Sequence, residues 1–222
     1  MDSKLPLRAR KKAKVREALI SASFRLFSKK GYTETTLEEI CGECEVTVQT
    51  LLRYFGSKDD LLFANHSKIF EKFNSGLMNA AKQGACVEYW MKFLHSQTVD
   101  LISSSEGRQT YKIIVGTPSL LARFYAIARQ YQTSLEQALS QELGVEAGED
   151  MHSRLLAHLI VMGPIEEALR AISQGHLDSI DRRCDSVARY VLANFKRPEK
   201  AKRVGAPSRK NGKRLRGEAR LR

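Results

Sequence analysis

Apolar positions recur every three and four residues along most of the chain, the period of helices with one buried face. Val15, Leu19, Ile20, Ala22, Phe24, Leu26 and Phe27 lie opposite a basic face over 8–30, and Gly31 supplies a stop. Two shorter units follow. Leu37, Ile40, Cys41 and Cys44 form one apolar face, and Val48, Leu51, Leu52 and Phe55 form the next. Thr36 with Glu39 three residues on is a capping-box pattern for the first of these, and Thr47 can cap the second. Isolated helices this short are marginal in water, so they need the helix of 8–30 behind them. Two short helices joined by a tight turn on a third form a helix-turn-helix, whose second helix can be presented to a DNA major groove.

Downstream, the pattern predicts one long helix over 58–84, then helices over 87–103, 106–115, 119–143, 149–174 and 177–196. The breaks fall at Gly84, at Ser103-Ser104-Ser105, at Gly116-Thr117-Pro118 and at Gly144. Gly163-Pro164 should kink the helix over 149–174. The expectation is an all-α chain of about nine helices in three parts. These are a basic arm and helix-turn-helix domain over 1–57, a helical ligand-binding and dimerisation domain over 58–196, and a basic disordered tail over 197–222.

Charge sharpens this division. The net charge of +12 is concentrated at the ends, with seven Lys/Arg in 1–16 and twelve in 196–222, while the body between them holds more acidic than basic residues. That distribution favours a polyanionic partner met at the ends. No apolar run approaches the roughly 20 residues needed to span a bilayer, and no apolar stretch follows the basic start as in a secretory signal. The expected setting is the cytoplasm, without a membrane partner. Four cysteines placed in helices fit a reducing compartment.

The runs 22–32 (Ala-Ser-Phe-Arg-Leu-Phe-Ser-Lys-Lys-Gly-Tyr), 35–40 (Thr-Thr-Leu-Glu-Glu-Ile) and 51–62 (Leu-Leu-Arg-Tyr-Phe-Gly-Ser-Lys-Asp-Asp-Leu-Leu) resemble the TetR family of transcriptional repressors. The resemblance implies a homodimer with an N-terminal DNA-binding domain and a C-terminal domain for ligand binding and dimerisation. Two positions depart from the family pattern. Glu45 stands where the turn usually carries Gly, and Leu52 where an aromatic usually precedes Arg-Tyr-Phe.

The expected DNA contacts are Thr47, Val48, Gln49 and Arg53 on the recognition helix, with Tyr54, Lys58 and Thr36 on phosphates. Gln can pair bidentately with adenine, Arg with guanine, and Val can meet a thymine methyl. Arg8, Arg10, Lys11 and Lys12 form a basic cluster that can track phosphates or enter a minor groove. The bland alternative for each is a solvated surface residue.

A ligand pocket is expected from Phe70, Phe73, Trp90, Phe93, Leu94, Leu121, Phe124, Tyr125, Ala128, His158 and Met162, with His95, Arg123 and Arg129 as further polar candidates. Ordinary core packing competes with this reading at every position. The stretch 118–170 is similar to family members that sense fatty-acyl or acyl-CoA ligands, with Arg123 and Arg129 as chemical support. Leu155, Leu159, Ile165, Leu169, Val187 and Val191 are the candidate dimer face on the last two helices.

No nucleophile–base order, buried carboxylate pair or phosphate loop stands out, so an enzyme is not expected, and no cofactor or metal is implied. Cys41 and Cys44 form a CxxC on an apolar helix face without a second pair or a nearby His, which favours packing over zinc or redox sensing. The competing readings are an architectural DNA-binding protein that uses both basic ends and senses no ligand, and a redox-sensing regulator acting through Cys41 and Cys44.

Overall fold

The computed structural model describes residues 6–146 and 148–195. Its ten α-helices are α1 (Leu7–Lys30), α2 (Leu37–Glu43), α3 (Val48–Phe55), α4 (Asp59–Leu62), α5 (His66–Gln83), α6 (Cys86–Ser103), α7 (Ser105–Gly116), α8 (Pro118–Leu143), α9 (Met151–Ser173) and α10 (Ile180–Asn194). A 3-10 turn, Leu177–Ser179, leads into α10. Strands are absent among the described residues, as are helices long and apolar enough to cross a membrane. The tail over 197–222 lies outside the described residues, as do residues 1–5.

The extra helix comes from a break that the apolar pattern does not reveal. The expected single helix over 58–84 stops at Leu62 and restarts at His66. Between them the backbone tightens to i→i−3 bonds, Ala64 N–H to Leu61 O (3.4 Å) and His66 N–H to Phe63 O (2.9 Å). The Arg16 guanidinium donates to the freed carbonyl of Ala64.

Two cores lie on either side of this turn. In the head, Leu19, Phe27, Ile40, Leu51, Leu61 and Leu62 are buried together, joined by Ile114 of α7 and Leu120 of α8. In the body, Phe73, Leu77, Trp90, Leu135, Leu156 and Ile160 are buried with their neighbours from α5, α6, α8, α9 and α10.

Pro164 lies inside α9 and has no N–H, so the Ile160 carbonyl loses its intrahelical donor. Trp90 of α6 fills the vacancy, its indole Nε1–H donating to Ile160 O at 2.8 Å. Nearby, Gly163 lets α10 approach. A Cβ there would stand 3.0 Å from Cγ1 of Val187.

Candidate functional site

The head is held by short-range caps. Thr36 and Glu39 form the full capping box at α2, with Thr36 N–H donating to Glu39 Oε2 (2.8 Å) and Glu39 N–H to Thr36 Oγ1 (3.2 Å). Lys30 also pairs with Glu39, and Arg25 with Glu43, tying α1 to α2. At α3, Thr50 N–H donates to Thr47 Oγ1 (3.1 Å). Glu45 in the intervening turn takes φ +53°, the one positive φ at a non-glycine among the described residues. This is the backbone expected where the pattern favours Gly, and an L-residue there costs on the order of 1 kcal/mol.

On α3, Leu51 and Phe55 are buried, Val48 and Tyr54 half-buried, and Gln49 and Arg53 exposed. Leu52 is 40% exposed, so it stands on the outward surface with them. Arg8, Arg10, Lys11 and Lys12 are exposed but already helical, forming the first turns of α1 rather than a flexible arm. The Lys12 ammonium stands 5.7 Å from the Tyr54 ring centre, which places this cationic end beside α3. Thr36 is exposed at the start of α2.

Lys58, expected on a phosphate, instead has its ammonium turned into the fold. It donates to Tyr32 O (2.9 Å) and Thr35 O (3.0 Å) and lies 4.3 Å from the Tyr32 ring centre. Burial pulls its pKa below the ordinary lysine value. Tyr32 in turn donates to Asp59.

Asp60 joins head to body. Its carboxylate accepts from Ser57 Oγ (2.6 Å) and from Arg123 of α8. Burial alone would raise the Asp60 pKa, but these hydrogen bonds and the Arg123 charge outweigh it and hold it below the usual carboxylate value. The Arg123 guanidinium also lies 5.1 Å from the Phe63 ring centre.

Behind this joint is a cavity of about 240 Å³, walled by the α4–α5 turn and by α6, α7, α8 and α9, with Cys184 of α10 at its edge. Of the expected pocket residues it takes Trp90, Phe93, Leu94, Phe124 and Ala128. Phe70, Phe73, Leu121, Tyr125, His158 and Met162 are not on its wall. Phe73 is core, packed on Phe93 (4.7 Å between ring centres) and Tyr131 (4.9 Å), so it buttresses the wall from behind. Phe70 packs edge-on to Tyr131. Tyr125 donates to Glu166 Oε1 (2.9 Å) outside the cavity, and exposed His158 meets Gln132 (3.3 Å). Met162 packs half-buried on the body core. His95, also expected there, is exposed and pairs with Asp181 (2.8 Å), and Arg129 is exposed outside the cavity.

The wall also includes Phe63, His66, Tyr111 and Tyr131, which sequence reasoning missed. Tyr131 was within reach, because Phe124, Ala128 and Tyr131 continue one helical face at spacings of four and three. A second recess of about 450 Å³ lies between α1, α3, α4 and α8 and shares Phe63, His66 and Ile127 with the first.

The expected dimer face divides. Leu155 (42%) and Leu159 (38%) are exposed on α9, as is Met151 one turn before them, and Tyr190 is exposed on α10. Ile165 and Leu169 turn the other way and line the cavity, so they are corrected to wall residues. Val187 lies against Gly163, and Val191 packs on the body core.

Cys41 is buried and Cys44 half-buried, both free. Burial raises both thiols above the ordinary cysteine value, with Cys44 the next largest influence on Cys41 and Glu43 on Cys44. A raised pKa lowers thiolate content and reactivity, which weighs against redox sensing here. Among the described residues, no three His, Cys, Asp or Glu side chains converge as a metal site would need.

Comparisons with known proteins fit this arrangement. The family model for bacterial regulatory proteins of the tetR family matches residues 19–64. The transcriptional regulator TcmR of Streptomyces glaucescens is 24% identical over 205 residues, covering 86% of this chain and 91% of that protein. The solved structure of SmeT, repressor of the Stenotrophomonas maltophilia multidrug efflux pump SmeDEF, shares the fold with a TM-score of 0.62 at 19% identity, covering 81% of this chain and 89% of that one. FadR from Bacillus subtilis, solved with stearoyl-CoA, gives 0.56 at 16% identity, covering 81% of this chain and 99% of that one. A head that presents α3, a helical body behind it and these matches fit together: residues 19–64 form a DNA-binding domain of the tetR family, and the chain is similar along most of its length to a transcriptional regulator of that kind.

Proposed function

We propose that the protein is a homodimeric repressor, working in the cytoplasm, that releases a palindromic operator when a small, largely apolar molecule fills the cavity of the body. The observation that carries this is the shared wall. The α4–α5 turn, which links the two cores, also lines the cavity through Leu62, Phe63, Asn65 and His66. A ligand that fits one position of this turn better than another shifts the head relative to the body. Two recognition helices must meet successive major grooves roughly 34–36 Å apart, so a modest displacement suffices for release. This reading puts the seam between domains at 63–65 rather than 57/58, because Leu61 and Leu62 belong to the head core.

Gln49, Arg53 and Val48 are the proposed base readers, with Thr47, Thr36, Tyr54 and the cationic start of α1 on the backbone. Lys58 has one ammonium N–H left for a phosphate after its two carbonyl bonds. Leu155, Leu159, Met151 and Tyr190 are the proposed contact with the second subunit. The acyl reading has the ligand of FadR in its favour, but its chemical support is reduced: Arg123 is paired with Asp60, and Arg129 is remote from the cavity.

The test is selection of bound DNA from random or genomic fragments, then a gel-shift titration on the recovered operator. A palindromic footprint, with the gel-shift midpoint moved at least ~tenfold by Arg53→Ala, supports the reading. A sequence-indifferent ladder of complexes overturns it in favour of an architectural role.

A further inference from the structure

The cavity wall carries no lysine, arginine, aspartate or glutamate. An ionised group entering it would be desolvated with no counter-charge on the wall, and Arg123 behind it is already paired with Asp60, so placing it costs far more than placing a neutral one. The wall is nonetheless not purely apolar. His66 Nε2 is buried without a hydrogen-bond partner, and the phenols of Tyr111 and Tyr131 line the same wall. His66 and Tyr131 are in edge contact, 5.8 Å between ring centres. An unpaired buried donor or acceptor is costly, and native proteins keep few of them without cause. Around this trio the wall is aromatic, formed by Phe63, Trp90 and Phe124. Flat rings pack well against such surfaces.

We propose that the cavity selects an uncharged, ring-bearing apolar molecule with one hydrogen-bonding oxygen, phenolic or carbonyl, received by His66 with Tyr111 and Tyr131. This deepens the effector reading above and rests on it. The charge states agree. Burial, then the Arg123 charge, keeps His66 below its ordinary pKa, so the imidazole offers one donor and one acceptor. Burial raises both phenols, so they stay protonated.

Trp90, the one tryptophan of the chain, stands on the wall and reports occupancy. The test titrates the full-length protein with phenanthrene, 9-phenanthrol and phenanthrene-9-carboxylate, three probes of nearly one shape, and follows Trp90 emission. The expected order is phenanthrol tightest, by ~tenfold over phenanthrene, as one hydrogen bond in a dry site supplies, with the carboxylate weakest. His66→Phe brings phenanthrol level with phenanthrene. Tyr131→Phe, which removes only an oxygen, narrows the gap even if His66→Phe fails to fold. Phenanthrene binding as tightly as phenanthrol to the unsubstituted protein overturns the proposal while leaving an apolar effector site standing. The carboxylate binding tightest overturns it in favour of an acidic effector. If none of the three perturbs Trp90, both this proposal and the effector-cavity reading fall.

Discussion

The indole of Trp90 hydrogen-bonds the carbonyl of Ile160 at 2.8 Å, seventy residues away along the chain. That carbonyl is available because Pro164, four residues on, has no N–H. One proline thus fixes where α6 meets α9 and sets one wall of the cavity.

Trp90→Phe should leave the Ile160 carbonyl orphaned and destabilise the fold by roughly 1–3 kcal/mol. Pro164→Ala supplies a backbone N–H for that carbonyl, so Trp90→Phe should cost less in the Pro164→Ala background, with a coupling of about 1 kcal/mol. Urea melts of the two single variants and the double variant measure it. Equal costs in both backgrounds would refute the link.

Glu45 holds φ +53° in the turn between α2 and α3. Glu45→Gly should relieve strain and stabilise the protein by up to about 1 kcal/mol, partly offset by the greater freedom of Gly in the unfolded chain. Thermal melts of the variant and Glu45→Ala separate conformation from side-chain loss. The alanine variant should gain nothing.

The pKa of His66 lies below its ordinary value of 6.5 through burial and then the Arg123 charge. The unfolded chain therefore takes up this proton at higher pH than the folded one. Stability is present in full above about 6.5 and declines as pH falls from there toward the folded value. The melting temperature should drop between pH 7.5 and 5.5, and by less in His66→Phe. Identical slopes in the two proteins would remove His66 from the pH response.

Leu155→Glu with Leu159→Glu puts two charges on the exposed α9 surface without disturbing a buried residue. The pair should turn a dimer into a monomer in sedimentation and weaken operator binding at least ~tenfold, because two half-sites would no longer be held together. An unchanged sedimentation coefficient would place the interface elsewhere.

Arg53→Ala and Gln49→Ala should each cost about 1–3 kcal/mol against the cognate operator and relax preference at one base position per half-site. Lys12→Ala should weaken binding uniformly across sequences and flatten the salt dependence. Selected-site sequencing distinguishes the two patterns.

Much of the fold was legible in the sequence. The period of three and four located the long helices but ran α4 and α5 together, Thr36 with Glu39 announced the start of α2, and Thr47 that of α3. The unusual backbone of Glu45 is what the family resemblance implies, since the turn usually carries Gly there. These features are local, since caps and turns are decided by residues within a few positions of one another.

What tertiary structure alone decided lies where distant groups meet. Periodicity states that a helix has a buried face, but not what covers it, so Ile165 and Leu169 read equally well as a subunit contact or as a cavity wall. The break at 63–65 accompanies an arginine 48 residues upstream that takes the Ala64 carbonyl, and a shift of the buried face from one core to another. Lys58 turned inward because two loop carbonyls of the α1–α2 connection needed a donor. The polar trio of His66, Tyr111 and Tyr131 comes from three helices. Only packing brings such side chains to one wall, because helical spacing orders residues within an element and says nothing of their neighbours across it.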